Sequence, residues 1–294
     1  VQQAEIKSES VTCDRQLVDQ IRQLDSNKFE AVVWLDPTRD VFLKEHLMRG
    51  KPFLPAVMTM ELFAQAVQQI RPESDVVEMS QVSVVNGLRL TEATPYKGKI
   101  RIEQIGDVFR CELLGPRPNQ DVGSHQFVYS SAVLRCGNLA LAEPIDVGEP
   151  VFGWTPFIYP ADAAIFHGPA FHTLAKLDFQ HGGGRGKVLG FGKQDLLAGL
   201  EGTAIVPAAA LDGCFLLCGI FGYAMLEKAE TLPYGIGSYR QYGRPRAGEM
   251  CTARIYYRET NEIGPVFDFT LVSDSNKVIL TVEGYQTARI RATQ

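Results

Sequence analysis

The sequence predicts an α+β fold in which one unit, a buried helix packed against an antiparallel sheet, occurs twice. Residues 55–70 and 207–228 are apolar on nearly every face, which indicates two buried helices. Each helix is followed by several strand-like segments separated by turn residues. Leu54-Pro55-Ala56 and Val206-Pro207-Ala208 open the two helices in the same way, 152 positions apart. This repeated order of elements indicates an internal repeat.

The composition is typical of a globular protein and argues against several other classes. The chain has 294 residues, 45% of them hydrophobic and 21% charged. A net charge of −5 argues against a nucleic-acid partner, which favours a basic face. We expect no membrane span and no signal peptide. Six scattered cysteines without a C-x-x-C motif predict core packing, a reducing cytoplasmic setting and no zinc ribbon.

The first half is predicted to contain a helix followed by a long antiparallel meander. Residues 1–26 show weak helical periodicity and are expected to form a lead-in segment outside the core. A short buried strand at 31–35 ends at Asp36-Pro37, and the helix at 55–70 ends at Arg71-Pro72. Four strands are predicted after this helix, at 82–90, 99–105, 108–114 and 125–136.

A connector rich in proline and glycine, residues 137–160, separates the two halves, which we place at 1–145 and 146–294. The second half has strand patterns before its helix and again after it, at 171–179, 186–192, 234–242, 250–258, 266–273 and 278–290. Each sheet is expected to wrap around its helix, the arrangement called a hotdog. The prediction for the whole chain is a double hotdog.

Asp212 is the most informative residue of the second half, because it is the only acid in the apolar run 205–225. A buried carboxyl group is costly unless it is paired or protonated. One interpretation is a capping residue at the start of the helix, where the dipole stabilises the anion by about 0.3–1 kcal/mol. Full burial can raise a carboxyl pKa by about 3–5 units. We therefore favour a general acid kept protonated by an apolar pocket.

His46 is the complementary candidate in the first half, in a predicted loop with Gly50 and Pro55 behind it. Applying the 152-residue offset, the position that matches Asp212 in the first helix is Met60, and the position that matches His46 in the second half is Ala198. Each half therefore supplies one member of a histidine–carboxyl pair. If the halves associate face to face, they form a single site.

Three motifs together resemble the signatures of the dehydratase domains of polyketide synthases. The first is H-x-x-x-G-x-x-x-x-P before a buried helix, and the sequence LPAVMTMELFAQA is most similar to the polyunsaturated fatty acid and enediyne types. The second is Leu211-Asp212 in a helix, with Leu216 where the family more often has a side chain that hydrogen-bonds the aspartate. The third is His167-Gly168-Pro169 followed by Phe171, with histidine in place of the family's tyrosine.

The resemblance implies elimination of water from a 3-hydroxyacyl thioester carried on an acyl carrier protein, with His46 as the base and Asp212 as the acid. Amides between residues 50 and 56 would bind the enolate oxygen. No metal, nucleotide or other cofactor is expected beyond the carrier's phosphopantetheine arm. Expected partners are the carrier protein and neighbouring synthase domains, with a homodimer as a further candidate assembly. The predicted substrate-binding residues are Gly50, Pro55, His167, Gly168, Pro169 and Leu216.

Alternative functions stay open at this point. One is a related enzyme with the same pair of residues, such as a product template domain that directs aromatic cyclisation, or an enoyl isomerase. Another is a non-catalytic hotdog that binds acyl carriers. Of the remaining histidines, His167 and His172 are expected in a tunnel wall or loop, and His125 and His181 at the surface or in turns.

Overall fold

A computed structural model describes residues 16–91, 94–117, 127–198, 200 and 204–290. The first half contains the first eight strands and two helices. In chain order these are β1 (Val18–Asp25), β2 (Lys28–Leu35), the one-turn helix α1 (Val41–Lys44), β3 (His46–Met48), β4 (Lys51–Pro52), α2 (Ala56–Ile70), β5 (Asp75–Ser83), β6 (Tyr96–Ile105), β7 (Val108–Gly115) and β8 (Phe127–Gly137).

The second half repeats the helix-and-sheet arrangement. Its elements are β9 (Thr155–Pro156), β10 (Ile165–His167), a 3₁₀ turn (Pro169–Phe171), β11 (Leu174–Gln180), β12 (Gly183–Leu189), α3 (Ala208–Phe221), a π-helical turn (Gly222–Glu227), β13 (Thr231–Gln241), β14 (Met250–Thr260), β15 (Pro265–Val272) and β16 (Val278–Arg289). The predicted boundary at 145/146 lies within residues 138–154, which contain neither helix nor strand.

Thirteen strands form one continuous sheet, in the order β1-β2-β6-β7-β8-β5-β13-β16-β15-β14-β12-β11-β9. The halves join where β5 pairs antiparallel with β13, for example Met79 with Tyr239. A smaller sheet, β10-β3-β4, also combines strands from both halves. Helices α2 and α3 contact each other inside the curved sheet and carry much of the apolar core. The predicted α+β double-hotdog fold is confirmed.

Helix α3 is more apolar than the sequence analysis allowed. By length and composition alone, Ala208–Leu226 could cross a membrane, with a mean hydropathy of 1.8. The sequence analysis expected no membrane span on the ground that no apolar stretch is long enough, and that ground was wrong. However, 61% of this stretch is buried inside the fold, as expected for the core helix of a globular protein.

Three local predictions were wrong because strand pairing overrode local preference. Residues 18–25 form strand β1 instead of a helix, and Leu17 and Val18 are fully buried in the core. The strand predicted at 82–90 is displaced to β5, which ends at Ser83. His46 begins a short strand instead of lying in a loop. His125 lies outside the described residues.

Glu61 on α2 anchors the start of α3. Its carboxylate is fully buried and accepts hydrogen bonds from the backbone N–H groups of Ile205 (3.0 Å) and Val206 (2.8 Å) and from the side chain of Gln65 (2.7 Å). Burial raises the pKa of Glu61, and these three donors oppose that rise. The carboxylate therefore holds the turn before α3 against α2.

Replacing Glu61 with alanine is expected to lower the free energy of unfolding by about 1–3 kcal/mol, because two buried amides lose their acceptor. Urea denaturation followed by circular dichroism measures the change. Glu73→Ala is the control, since the Glu73 side chain is 64% exposed and a surface change is expected to cost under about 0.5 kcal/mol. Equal stability of the two variants would contradict this role for Glu61.

Candidate active site

The short strand β3 places His46 opposite a histidine from the second half. β3 pairs antiparallel with β10, and His46 is the direct register partner of His167. The two rings form an edge contact, with their centroids 5.2 Å apart. The His46 ring also lies against Phe53 and Phe171. Strand pairing therefore brings together two imidazoles that are far apart in the sequence.

A backbone hydrogen bond defines the tautomer of His46. Its Nδ1 lies 2.7 Å from the carbonyl oxygen of Phe53. A carbonyl only accepts hydrogen bonds, so Nδ1 must donate and carries the proton. In the neutral imidazole the lone pair is then on Nε2, which is the atom able to act as a base.

The environment of His46 favours the neutral imidazole. The residue is 5% exposed, and its burial lowers its pKa from 6.5 to about 4. The neighbouring His167 also lowers the His46 pKa, whereas Asp212 and the hydrogen bond to Phe53 raise it. Burial is the largest of these effects, so His46 is uncharged at neutral pH with its Nε2 lone pair available.

Asp212 lies on the inner side of α3 and is 6% exposed. It is the fifth residue of the helix, and the first turn contains no acid, so the capping interpretation is wrong. Its Oδ2 lies 3.4 Å from Nε2 of His167 and is buried without a hydrogen bond among the described residues. One donor atom each from His46, His167 and Asp212 lie within 4.8 Å of one another. The predicted histidine–carboxyl pair is thus assembled, with His167 as a third member.

These three side chains open into a cavity of about 1210 Å³. Much of its wall is apolar, including Phe53, Leu54, Phe157, Phe215, Leu216 and Ile220. Asp162, Lys228 and Glu230 also line it and are exposed, so they mark its mouth. The three polar side chains therefore lie in a large, predominantly apolar chamber that reaches the surface.

Only two of the six predicted substrate-binding residues, His167 and Leu216, line this cavity. Gly50 is exposed in the β3–β4 turn. Its φ of +76° lies in the left-handed region, which glycine adopts without strain. Pro55 is buried at the start of α2, and Pro169 is exposed in the 3₁₀ turn. Gly168 is buried, and a Cβ there would lie 2.7 Å from Cβ of Glu45. These four residues shape the frame of the site instead of its wall.

The sequence analysis predicted that backbone amides between residues 50 and 56 bind the enolate oxygen. In the structure, one amide of this segment is a candidate for that role. The Phe53 N–H donates to the His46 carbonyl and the Leu54 N–H donates to the Leu88 carbonyl, each at 3.0 Å. Pro55 has no N–H. Ala56 lines the cavity as the first residue of α2, where a helix leaves its N–H groups without intrahelical partners. Its amide is the candidate donor to a substrate oxygen.

The sequence analysis missed two residues that hold the second half of the site. Glu45 accepts a short hydrogen bond from the Ala170 amide and contacts the turn after β10. Tyr159 stacks on His172, and Nε2 of His172 donates to the His167 carbonyl (2.8 Å). For Glu45, the sequence signal that could have identified it was its position next to His46. Tyr159 lies in a connector whose composition gave none.

Gly213, directly after Asp212, allows α3 to approach the preceding strand closely. A Cβ at this position would lie 2.5 Å from Oγ1 of Thr173 and 2.9 Å from Cγ1 of Val188. The Thr173 hydroxyl also donates to the Ala209 carbonyl (3.1 Å), which fixes this contact. The position of Asp212 therefore depends on the absence of a side chain at residue 213.

We expect Gly213→Ala to lower the free energy of unfolding by about 1–3 kcal/mol through overpacking. Gly219→Ala in the same helix is the matched control, because its nearest neighbouring atom is 4.0 Å from the added Cβ. Alanine in a helix is otherwise favoured over glycine by about 1 kcal/mol, so the control is expected to be unchanged or stabilised. Thermal and urea denaturation measure both variants. A stabilised Gly213→Ala would show that α3 is not packed as described.

Comparison with known proteins supports the resemblance inferred from the motifs. Residues 17–112 match the family model of the polyketide synthase dehydratase domain. No curated protein sequence matches the chain significantly. Among solved structures, the dehydratase domain from the CurF module of curacin polyketide synthase has a TM-score of 0.75 at 17% identity, covering 94% of this chain and 99% of that one.

Two further solved structures have the same fold. The dehydratase domain from the CurK module has a TM-score of 0.72 at 16% identity, covering 95% of this chain and 99% of that chain. A variant of GphF DH1 has a TM-score of 0.71 at 17% identity, covering 95% and 98%. The predicted resemblance is confirmed: the chain has the fold of the polyketide synthase dehydratase domains, and its residues 17–112 match the sequence model of that family.

Proposed function

We propose that this domain removes water from a 3-hydroxyacyl thioester carried on the phosphopantetheine arm of an acyl carrier protein. One observation carries the proposal. A neutral His46 and an Asp212 whose Oδ2 makes no hydrogen bond among the described residues line the same, largely apolar chamber. A base and an acid held this close, facing one substrate chamber, are what β-elimination of water requires.

His46 Nε2 would take the proton from the carbon next to the thioester carbonyl. The carbon–oxygen bond to the 3-hydroxyl group then breaks as Asp212 donates a proton to the departing oxygen, giving an enoyl thioester and water. The Ala56 amide at the start of α2 would stabilise the negative charge on the thioester oxygen. Transfer of the imidazolium proton back to the carboxylate restores the starting state. These steps use only protein side chains and one backbone amide.

Variants of one relative are consistent with this assignment. For the CurK dehydratase, a variant with a histidine replaced by phenylalanine and another with an aspartate replaced by asparagine are described as inactive mutants. The carrier protein and neighbouring synthase domains are the proposed partners. The cytoplasmic setting, the homodimer and the similarity to polyunsaturated fatty acid or enediyne synthases stay predictions.

Enoyl isomerisation is a second candidate, favoured by His167. A double-bond shift removes a proton from one carbon and adds a proton to another, and a second imidazole beside His46 offers a second site for proton transfer. The solved GphF DH1 variant is described as isomerase-inactive. Isomerisation and dehydration differ in the substrate that they consume, so they can be measured separately.

The test supplies 3-hydroxyacyl and 2-enoyl pantetheine thioesters to the purified domain in separate reactions, with mass spectrometry and chromatography of the products. We expect an enoyl thioester from the first substrate. A shifted double bond from the second substrate without water loss from the first would favour the isomerase. A poly-β-ketone substrate tests the cyclase alternative. Binding of acyl carriers without turnover of any substrate would favour the non-catalytic hotdog and overturn the proposal.

A further inference from the structure

We propose that His46, His167 and Asp212 form a binding site for one divalent transition-metal ion of the zinc class. The resemblance to the dehydratase domains implied that no metal is needed. The structure instead brings one donor atom from each of the three side chains within 4.8 Å of the other two. Two imidazole nitrogens and one carboxylate oxygen are a donor set that zinc-class ions accept.

The donor spacing is near that of a tetrahedral site. With metal–ligand bonds of about 2.0–2.2 Å, neighbouring donor atoms in such a site lie about 3.3–3.5 Å apart. His167 Nε2 and Asp212 Oδ2 are already 3.4 Å apart. The other two donor pairs lie within 4.8 Å, and a bound ion would draw them to this spacing.

Two independent features indicate that the site is prepared for a cation. Asp212 is 6% exposed, and its Oδ2 makes no hydrogen bond among the described residues, with His167 Nε2 3.4 Å away as its nearest polar neighbour of opposite type. His46 donates its Nδ1 proton to the Phe53 carbonyl, which orients the ring and leaves Nε2 as the ligand atom. A backbone carbonyl on the second ring nitrogen is the usual support for a metal-bound histidine.

The protein would supply three ligands and leave the fourth coordination position open toward the cavity. Water or a substrate oxygen would occupy that position. This number of nitrogen and oxygen ligands favours zinc, cobalt, nickel or copper over magnesium and calcium, which prefer oxygen. An ion bound here occupies Nε2 of His46 and the carboxylate of Asp212. It would therefore compete with the proposed elimination reaction. Metal binding itself does not depend on that proposed function, whereas inhibition does.

Cobalt(II) is the probe, titrated into the chelator-treated domain without substrate. We expect one equivalent to bind and to give the visible absorption of four-coordinate cobalt, with displacement by zinc and no competition from magnesium. His167→Phe and Asp212→Asn are each expected to weaken cobalt binding by more than about 100-fold. Mutation of a residue that only hydrogen-bonds a metal ligand already lowers metal affinity by about 10–100-fold. His181→Gln, at an exposed turn, is the control for non-specific histidine binding and is expected to bind cobalt as the unmodified domain does.

Circular dichroism establishes that each variant is folded, and two separate ligand variants keep the test valid if one of them does not fold. Absence of cobalt binding by the unmodified domain overturns the proposal. Binding that persists in both ligand variants, or that is lost in His181→Gln, also overturns it. If cobalt binds as expected but no thioester is dehydrated, the metal site stands and the proposed reaction fails.

Discussion

Replacing His46 with alanine is expected to lower kcat for elimination of water by about 10²–10⁴-fold, the usual contribution of a positioned general base. The mutation removes the Nε2 lone pair that faces the cavity. Steady-state kinetics on a 3-hydroxyacyl pantetheine thioester measure the loss in metal-free buffer.

His181→Ala is the matched control, since it removes an imidazole from an exposed turn. His46 is buried, so thermal denaturation must show that the alanine variant is folded under assay conditions. A folded His46→Ala variant with the turnover of the unmodified domain would exclude His46 as the base. The leading function would then be lost with it.

Asp212→Asn is expected to lower kcat by a similar factor of about 10²–10⁴, with a smaller change in KM. Asparagine has nearly the same shape as aspartate, so the contact of α3 with the cavity is preserved. The amide cannot deliver the proton that the departing hydroxyl group requires. Oδ2 of Asp212 makes no hydrogen bond among the described residues, so the polar contact that the mutation alters is the 3.4 Å approach of His167 Nε2. The expected loss is therefore in the chemical step.

Asp107→Asn is the control for loss of one carboxylate, because Asp107 lies in the exposed turn between β6 and β7. It is expected to keep the kinetics of the unmodified domain. The same two variants, tested with a 2-enoyl substrate, show whether isomerisation uses the same carboxyl group. Unchanged kcat in Asp212→Asn would remove Asp212 from the reaction and leave its burial unexplained.

The register of short strands limited what could be predicted about the site. β3 is three residues long, and no local pattern separates it from a loop. Its pairing with β10 is a contact between the two halves, so it depends on how both sheets curve. For the same reason His167, expected in a wall or loop, was not expected to face His46 directly. Gly50 and Pro55, predicted as substrate-binding residues, lie in the β3–β4 turn and at the start of α2, outside the cavity wall.

The sequence by itself determined the α+β class, the two buried helices and the repeated helix-and-sheet unit, because these depend on apolar periodicity and turn residues that act locally. It also singled out His46 and Asp212, since one acid in an apolar helix stands out without coordinates. Tertiary structure alone decided that the two sheets merge through β5 and β13, and that His167 joins the pair. The physical reason is that long-range strand pairing and the free energy of burial depend on residues far apart in the chain, which no local pattern records.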